Sequence, residues 1–355
     1  MGKVARRDED DVVIAGSPRI LVVRLSAIGD VVRVLPALQI LREAYPQAHI
    51  DWIVERKAAD VVEGHPALDG VIVFERPDGA WQSSRQFAGL CRDIRNKRYD
   101  IVVDFHGILK SGLITAASRA KQRVGFKRPR SQEGSTLFYT ATVGVPLDQL
   151  NRAEENLRLC QALAPGARWP APVIYVPIEV QESVHAFTDA EFDSDKLVVA
   201  MHAPVERAEK QWPLERFAAL ADQLLADGRF EVLLTWGPGQ FGVVEEVLSR
   251  MRRKAAVAPE MPDLKHYAAL VARCALYVGG DTGPMHVAAA MGTPVVAVFG
   301  GTHPAQHAPF LLPHKVLYAG AVAGPNTNGT AAAQARLLAV SPDDAYEACI
   351  AQLFG

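Results

Sequence analysis

The sequence predicts an α/β protein built from two doubly wound, Rossmann-like domains that face a cleft between them. Three observations lead to this fold class. The chain has 355 residues, more than one hydrophobic core usually serves. Short apolar runs rich in Val and Ile alternate with helix-like segments, as in parallel sheets covered on both faces. The alternation occurs twice, before and after a Pro-rich passage, APGARWPAPVIYVP, at residues 164–177.

Four strand-like runs precede this passage and four follow it. Those in the first half are RILVVRL (19–25), HIDWIVE (49–55), GVIVFE (70–75) and YDIVVDF (99–105). Those in the second half are LVVAMHA (197–203), EVLLTWG (231–237), ALYVGGD (275–281) and PVVAVFG (294–300). The patterns also predict helices at 30–44, 82–98, 213–228 and 342–354.

This order divides the chain into four parts. They are a flexible N-terminal tail (1–18), a first Rossmann-like domain (19–178), a second Rossmann-like domain (179–340) and a C-terminal helix (341–355) that packs back onto the first domain.

Composition and charge describe a globular chain with two unlike halves. Hydrophobic residues make up 49% of the chain and charged residues 22%, and the net charge is −2. Residues 19–178 carry 22 Lys and Arg against 16 Asp and Glu, whereas residues 179–355 carry 13 against 20. The two halves are therefore expected to bind different ligands.

The sequence argues against several classes of protein. The four cysteines are scattered, which predicts reduced thiols and a cytoplasmic protein. The polar N-terminus does not resemble a signal peptide, and no apolar run is long enough to cross a bilayer, so we expect any membrane contact to be peripheral. No G-x-G-x-x-G follows the first strand, so a nicotinamide or flavin dinucleotide is disfavoured and no cofactor is expected. P-loop and G-x-S-x-G motifs are also absent.

The segment VGGDTGPMHVAAAMGTP (278–294) has the composition of an anion-binding turn. A strand ends at Asp281, and Thr282 and Gly283 lead into a helix whose amino end favours a phosphate. Asp281 can bind a ribose hydroxyl or cap the helix, and His286 lies on the first helical turn. A well-capped turn without a ligand is the alternative.

Two further loops follow predicted strands. Lys210, in HAPVERAEKQWPLERF (202–217), is placed to neutralise a diphosphate, although a solvated lysine is the alternative. His106 and Lys110, in DFHGILKSG (104–112), can contact a substrate; a buried histidine and a surface lysine are the alternatives.

Asp30, in RLSAIGDVVRVLP (24–36), follows Gly29 at a strand-to-helix connection. Its carboxylate can simply stabilise the first turn of the helix. Together with the phosphate-type loops of the other half, however, it predicts a base opposite a nucleotide-diphosphate leaving group. That layout suits group transfer to a hydroxyl.

These segments resemble the heptosyltransferases of glycosyltransferase family nine. The matching residues are R-L-S-A-I-G-D-V with L-P-A-L (24–38), D-F-H-G-I-L-K-S (104–111), K-x-W-P (210–213) and D-T-G-P-M-H (281–286), in the family's order. The resemblance implies a GT-B fold, an ADP-heptose donor on the second domain and a Kdo-lipid A type acceptor on the first. It also implies inversion at the anomeric carbon without a metal, in the biosynthesis of the lipopolysaccharide inner core.

The resemblance assigns roles to individual residues. Asp30 would be the general base, and Lys210, Thr282 and Gly283 would hold the diphosphate. Asp281 and His286 would lie beside the donor, and Met261 would lie near the adenine.

Three positions depart from the family pattern. Arg33 stands where members often carry His, and His303 stands where an acid or Ser is typical. In WGPGQ, Gln240 replaces the acid that commonly meets the ribose. The glutamine still forms hydrogen bonds but lacks the charge-assisted one.

The acceptor is assigned mainly from charge. Six basic residues and no acid occur between Arg119 and Arg130, and such a run attracts an anionic lipid surface or is ordinary solvated surface. The predicted acceptor-binding residues are Arg24, His106, Lys110, Lys127, Arg128 and Arg130.

The sequence therefore predicts a metal-independent, inverting heptosyltransferase. It is expected to be a cytoplasmic monomer at the inner face of the inner membrane, without a nucleic-acid partner. A sugar-nucleotide epimerase on the same scaffold and a non-enzymatic, two-lobed sugar-binding protein are the alternatives.

Overall fold

A computed structural model describes residues 17–75, 80–146, 150–320 and 329–355. Most of the predicted N-terminal tail (1–18) thus lies outside the described residues. The described chain forms two parallel, six-stranded sheets. We call residues 17–177 the N-terminal half and residues 178–355 the C-terminal half.

The N-terminal half contains the first sheet, in the order β3-β2-β1-β4-β5-β6. Its strands are β1 (Arg19–Val23), β2 (His49–Glu55), β3 (Gly70–Phe74), β4 (Ile101–Asp104), β5 (Gln122–Phe126) and β6 (Ala141–Val143). Its helices are α1 (Ile28–Val32), α2 (Leu35–Ala44), α3 (Arg56–Ala59), α4 (Ala80–Asn96), α5 (Leu109–Ala117) and α6 (Arg152–Gln161).

The C-terminal half contains the second sheet, in the order β12-β11-β10-β7-β8-β9. Its strands are β7 (Leu197–His202), β8 (Phe230–Leu234), β9 (Ala256–Val257), β10 (Leu276–Gly280), β11 (Val295–Val298) and β12 (His314–Leu317). Its helices are α7 (Ile178–Glu191), α8 (Leu214–Asp227), α9 (Phe241–Arg250), α10 (Leu264–Ala272), α11 (Gly283–Ala290), α12 (Pro304–His307), α13 (Thr330–Ala339) and α14 (Pro342–Phe354).

The central strands are buried on both sides, which explains their continuous apolar runs. In β1, Ile20 and Val22 belong to one hydrophobic cluster while Leu21 and Val23 belong to another, and all four are fully buried. Because alternate side chains of a strand point to opposite faces, both faces of the sheet must be covered. The predicted doubly wound α/β class is confirmed.

Two sequence predictions about helices are wrong. The helix predicted at 30–44 is divided into α1 and α2 around Arg33 and Val34, because Pro36 has no N–H to continue the hydrogen-bond ladder. The C-terminal helix α14 does not pack on the N-terminal half. It lies against α8, β11 and β12 and contributes Ala345 and Cys349 to the second half's core.

The two halves contact each other at several points besides the Pro-rich connection. The amino ends of α1 and α11 pack together. The Asn151 side chain donates a 2.9 Å hydrogen bond to the carbonyl of Ala308, and the Asp60 carboxylate accepts one of 3.0 Å from the backbone of Leu264. These contacts close the cleft at the carboxyl ends of β1 and β10.

Candidate active site

The amino ends of α1 and α11 approach so closely that both need a glycine. A Cβ atom at Gly29 would lie 2.6 Å from Cδ2 of His286, and one at Gly283 would lie 3.0 Å from Cβ of Ile28. Gly283 therefore leaves room for the opposite half, and not only for an anion as the sequence suggested. The contact brings the predicted residues of both halves into one site.

Asp30, the predicted base, is held by two arginines. Its Oδ2 lies 2.5 Å from Nη2 of Arg24 and its Oδ1 lies 2.7 Å from Nη1 of Arg33. Burial raises the pKa of the Asp30 carboxyl, but the charges of Arg24 and Arg33 outweigh this and hold it well below its usual range. With 36% of its side chain exposed, Asp30 is an ionised carboxylate open to the cleft.

Arg24 lies beneath Asp30 and is almost fully buried. Its Nη1 donates a 2.9 Å hydrogen bond to the carbonyl of Phe105, and its Nη2 faces Asp30. These contacts orient the carboxylate. They give Arg24 a different position from the one expected of an acceptor-binding residue.

Arg33 crosses the cleft. While Nη1 contacts Asp30, Nη2 lies 2.6 Å from Nε2 of His286 and 3.2 Å from Nδ1 of His307. The same Nη2 is 3.8 Å from Oδ1 of Asp281. One guanidinium thus joins the carboxylate of the N-terminal half to the helix start of the C-terminal half.

His286 is buried and neutral in this network. Burial and the charge of Arg33 lower its pKa to about 4. Because Arg33 donates to Nε2, the ring proton must lie on Nδ1. Burial and Arg33 likewise lower the pKa of His307 to about 4. At neutral pH both rings accept hydrogen bonds from Arg33 without adding charge.

Lys210 and Asp281 form a buried ion pair at the start of α11. Nζ of Lys210 lies 2.8 Å from Oδ2 of Asp281 and 2.9 Å from the Asp281 carbonyl. The hydroxyl of Thr302 donates a further 2.7 Å hydrogen bond to Oδ2. Burial opposes ionisation of Asp281, yet the charges of Lys210 and Arg33 hold its pKa well below the usual range.

Other predicted donor residues lie around the same edge. Thr282 is the N-cap of α11, in an extended conformation. In the loop after β8, Oε1 of Gln240 accepts a 3.0 Å hydrogen bond from the backbone N–H of Gly237, so it stabilises its own turn. Met261 is half-buried against the core. Nearby, the rings of Trp236 and Phe241 lie 5.0 Å apart.

Two of the predicted acceptor-binding residues, His106 and Lys110, lie in the segment that follows β4. His106 is near Asp30, and Lys110 pairs with Glu55 at 2.9 Å. Burial and the charge of Arg24 lower the pKa of His106 to about 3. Since its Nδ1 accepts from the backbone of Leu25, the neutral ring carries its proton on Nε2.

The basic run is divided. Lys127 and Arg128 are exposed, as predicted for a charged surface. Arg130 instead lies 2.7 Å from the buried carboxylate of Glu155, so its charge is partly neutralised inside the protein. The solvated alternative fits Lys127 and Arg128 but not Arg130.

Sequence reasoning missed three contributors, namely Arg33, Thr302 and His307. Arg33 was noticed only as a departure from a pattern, although its position three residues after Asp30 places both on one side of a helical turn. Thr302 lies in the turn after β11 and His307 is the last residue of α12, and only the tertiary fold brings them to Asp281 and Arg33. His303, the other departure, is exposed and caps α12.

Within the described residues, no three His, Cys, Asp or Glu side chains are grouped to hold a metal ion. The same part of the chain contains no helix long and apolar enough to cross a membrane. The metal-independent reaction remains a prediction.

The fold and site together define a class of enzyme. Two Rossmann-like halves meet at the carboxyl ends of their strands, with an ionised carboxylate on one and a helix amino end with a lysine on the other. This is the arrangement of a GT-B type transferase acting on an activated, anionic donor.

Comparison with known proteins identifies the family. The model of glycosyltransferase family 9 (heptosyltransferase) matches residues 87–328. Lipopolysaccharide heptosyltransferase 1 of Escherichia coli K12 is 29% identical over 295 residues, which cover 81% of this chain and 89% of that protein. The chain belongs to glycosyltransferase family 9, so the predicted family and enzyme class are confirmed over the epimerase and binding-protein alternatives.

Solved structures share the fold. A glycosyl transferase family 9 protein from Veillonella parvula has a TM-score of 0.82 at 24% identity, covering 95% of this chain and 97% of that one. The E. coli heptosyltransferase WaaC, solved with ADP, has a TM-score of 0.73 at 23% identity, covering 94% and 99%. The predicted GT-B architecture is confirmed.

Replacing Arg33 by Met should change the pH dependence of transfer. Loss of its charge raises the pKa of both Asp30 and His286, so the acidic limb of the kcat/KM profile should move to higher pH. At neutral pH we expect a loss of ~10-fold or more. An Arg158→Met variant, which breaks an ion pair on the outside of α6, is the control. A uniformly slower enzyme with an unshifted profile would show that Arg33 only packs.

Gly29→Ala should separate the halves enough to slow transfer. The new methyl group would overlap the His286 ring, and a displacement near 1 Å at a reacting centre costs roughly 10²-fold. Gly242→Ala is the matched control, because Gly242 is also the second residue of its helix and a Cβ there meets no atom within 4 Å. Equal kcat/KM values for the two variants would contradict the close approach of α1 and α11.

Proposed function

We propose that the protein transfers a heptose from ADP-heptose to the Kdo-lipid A inner core of lipopolysaccharide. The observation that carries this proposal is the single network joining Asp30, Arg33, His286, Asp281 and Lys210 across the cleft. The heptose and the acceptor rest on the related lipopolysaccharide heptosyltransferase, and ADP on the related structure solved with it.

We further propose that the two halves are two domains divided near residue 178. The N-terminal domain binds the acceptor, because it carries Asp30 and the excess of positive charge. The C-terminal domain binds the donor, because it carries Lys210 and the amino end of α11. The wrong placement of α14 does not alter this division, since that helix only enlarges the C-terminal domain.

In the proposed reaction, a hydroxyl oxygen of the acceptor attacks the anomeric carbon of the heptose. The bond from this carbon to the phosphate oxygen breaks on the opposite face, ADP leaves with the bonding electrons, and the configuration inverts. The hydroxyl proton passes to Asp30. No metal is assigned a role.

The paired arginines suit Asp30 to this task in a particular way. They keep the carboxylate ionised and oriented, while each oxygen retains a lone pair for the incoming hydroxyl. A base of low pKa holds a proton weakly, so it accepts one only when the attacking oxygen has become acidic through bond formation. Proton transfer is therefore late in the reaction coordinate.

The departing diphosphate is stabilised from the C-terminal half. Lys210 and the amino end of α11 at Thr282 and Gly283 supply positive potential there. Arg24, Arg33 and Lys210 oppose only Asp30 and Asp281, so this core of the network is one charge positive before the donor binds. Asp281 and His286 border the sugar, and Gln240 and Met261 border the nucleoside.

The acceptor approaches Asp30 from the N-terminal domain, opposite the donor. The Nε2–H of His106 can donate to it, and Lys110 lies in the same loop region. Lys127, Arg128 and Arg130 add positive charge. Because the acceptor is a lipid, we place the enzyme on the cytoplasmic face of the inner membrane, held there peripherally.

Asp30→Asn should lower kcat for heptose transfer by ~10²–10⁴-fold, because the amide cannot accept the proton. ADP binding measured by calorimetry should stay close to that of the wild type, since Asp30 lies on the other half. Asp93→Asn, on the exposed side of α4, serves as the control. Assays with EDTA should give unchanged rates. A variant that transfers heptose at the wild-type rate would reduce Asp30 to a helix-start residue.

Lys210→Ala should weaken ADP binding more than Thr302→Val does. Both side chains contact Oδ2 of Asp281, but only Lys210 brings a charge to the diphosphate. The expected loss for Lys210→Ala is at least ~10-fold, as for a charge-assisted hydrogen bond. If the two variants weaken ADP equally, Lys210 acts through Asp281 and the phosphate site lies elsewhere.

A further inference from the structure

The outer face of α5 is apolar although it is exposed. Leu109 and Leu113, four residues apart and so on one face of the helix, are 44% and 39% exposed. The inner face is also apolar, since Ile114 is fully buried against β1 and β4. A helix with apolar side chains on two opposite faces normally has a partner on both of them.

A second exposed leucine segment lies against this helix. Leu137 is 84% exposed in the short 3-10 turn Ser135–Phe138. This turn packs on α5 so closely that a Cβ at Gly112 would lie 2.6 Å from the Phe138 ring. The backbone of Leu109 also donates a 3.1 Å hydrogen bond to Glu133. We call Leu109, Leu113 and Leu137 the leucine patch.

The segment of the chain that carries the leucine patch is strongly basic. Residues 105–146 contain seven Lys or Arg and one acid, Glu133. Lys127 and Arg128 are exposed just after β5, on the cleft side, and Arg119 and Lys121 are exposed at the other end of α5. An apolar patch bordered by exposed cations is the pattern of a surface that binds anionic lipid headgroups and inserts side chains beneath them.

The patch is also placed next to the chemistry. The loop before α5 carries His106, whose ring is close enough to Arg24 and Asp30 for their charges to act on it. The loop after β5 carries Arg130, which also acts on Asp30. A membrane in contact with α5 would therefore lie at the acceptor side of the cleft.

We propose that the leucine patch and its flanking basic residues dock the enzyme on an anionic lipid bilayer, with Leu137 and the outer face of α5 inserted at the headgroup level. The proposal rests on the proposed function only in taking the acceptor to be a lipid. It assigns the membrane contact to three leucines and two pairs of cations.

The test measures co-sedimentation with phosphatidylglycerol–phosphatidylethanolamine vesicles that contain no acceptor. The double variant Leu113→Gln/Leu137→Gln should bind these vesicles ~10-fold more weakly at every salt concentration. Its control is Leu338→Gln, which changes a leucine of α13 that is 55% exposed.

The double variant Lys127→Gln/Arg128→Gln should lose ~5-fold in vesicle affinity per charge at low salt, because one basic residue contributes about 1 kcal/mol. Its control is the exposed pair Arg253→Gln/Lys254→Gln.

A Leu137→Trp variant gives an independent positive signal. Its emission should shift to the blue with anionic vesicles and remain unchanged with pure phosphatidylcholine vesicles, and Leu338→Trp should show no shift. Wild-type vesicle binding by the glutamine variants, or no shift for Leu137→Trp, overturns the proposal. So does a change in oligomeric state with unaltered vesicle binding, which would make the leucine patch a contact between copies of the chain.

Transfer to a deacylated, water-soluble acceptor separates this proposal from the proposed function. The leucine variants should keep the wild-type kcat/KM with that acceptor and show a lower kcat/KM with acceptor embedded in vesicles. If kcat/KM falls with both acceptors, the leucines act within the site and the docking proposal is overturned. If the wild type fails to transfer heptose to either acceptor, the proposed function falls, while the vesicle measurements still decide the docking surface.

Discussion

The contact of one guanidinium with both halves is the interaction on which the site depends. Arg33 contacts Asp30 with one nitrogen and His286 and His307 with the other, so the proposed base and the proposed donor site share a single side chain. The glycines at the starts of α1 and α11 leave room for the His286 ring and the Ile28 side chain of the opposite half, so that the two halves can meet closely. The side chain that joins the two halves is therefore also one of the two that hold Asp30.

The position of Arg33 also sets the charge states of the side chains around it. Bringing Arg33 to His286 places a cation beside a buried imidazole, which keeps that ring neutral. The same cation, with Arg24, keeps Asp30 ionised. Both carboxylates of the network, Asp30 and Asp281, are paired with cations within the protein. In the proposed reaction, a diphosphate at Lys210 would compete with Asp281 for the lysine.

The sequence predicted the fold and half of the site because both depend on local patterns. All eight apolar runs contain strands, whereas four strands were missed. β6, β9 and β12 are short strands at the edges of the sheets, and β5 pairs on both sides but has few apolar residues in its sequence, QRVGF. Asp30, Lys210 and Asp281 were found because each sits where a strand meets a helix. Thr302, His307 and the pairing of Arg130 with Glu155 depend on contacts between distant segments, which spacing does not reveal. The predicted location of α14 was wrong for the same reason, since it depends on contacts with α8, β11 and β12.

A double-mutant cycle between Arg33 and His286 tests the central claim most directly. Transfer kinetics would be compared for Arg33→Met, His286→Asn and the double variant. If the two side chains act as one unit across the cleft, the double variant should be no slower than the slower single variant, with a coupling of at least about 1 kcal/mol. Losses that simply multiply would show that the two residues act independently, and would contradict a site assembled through Arg33.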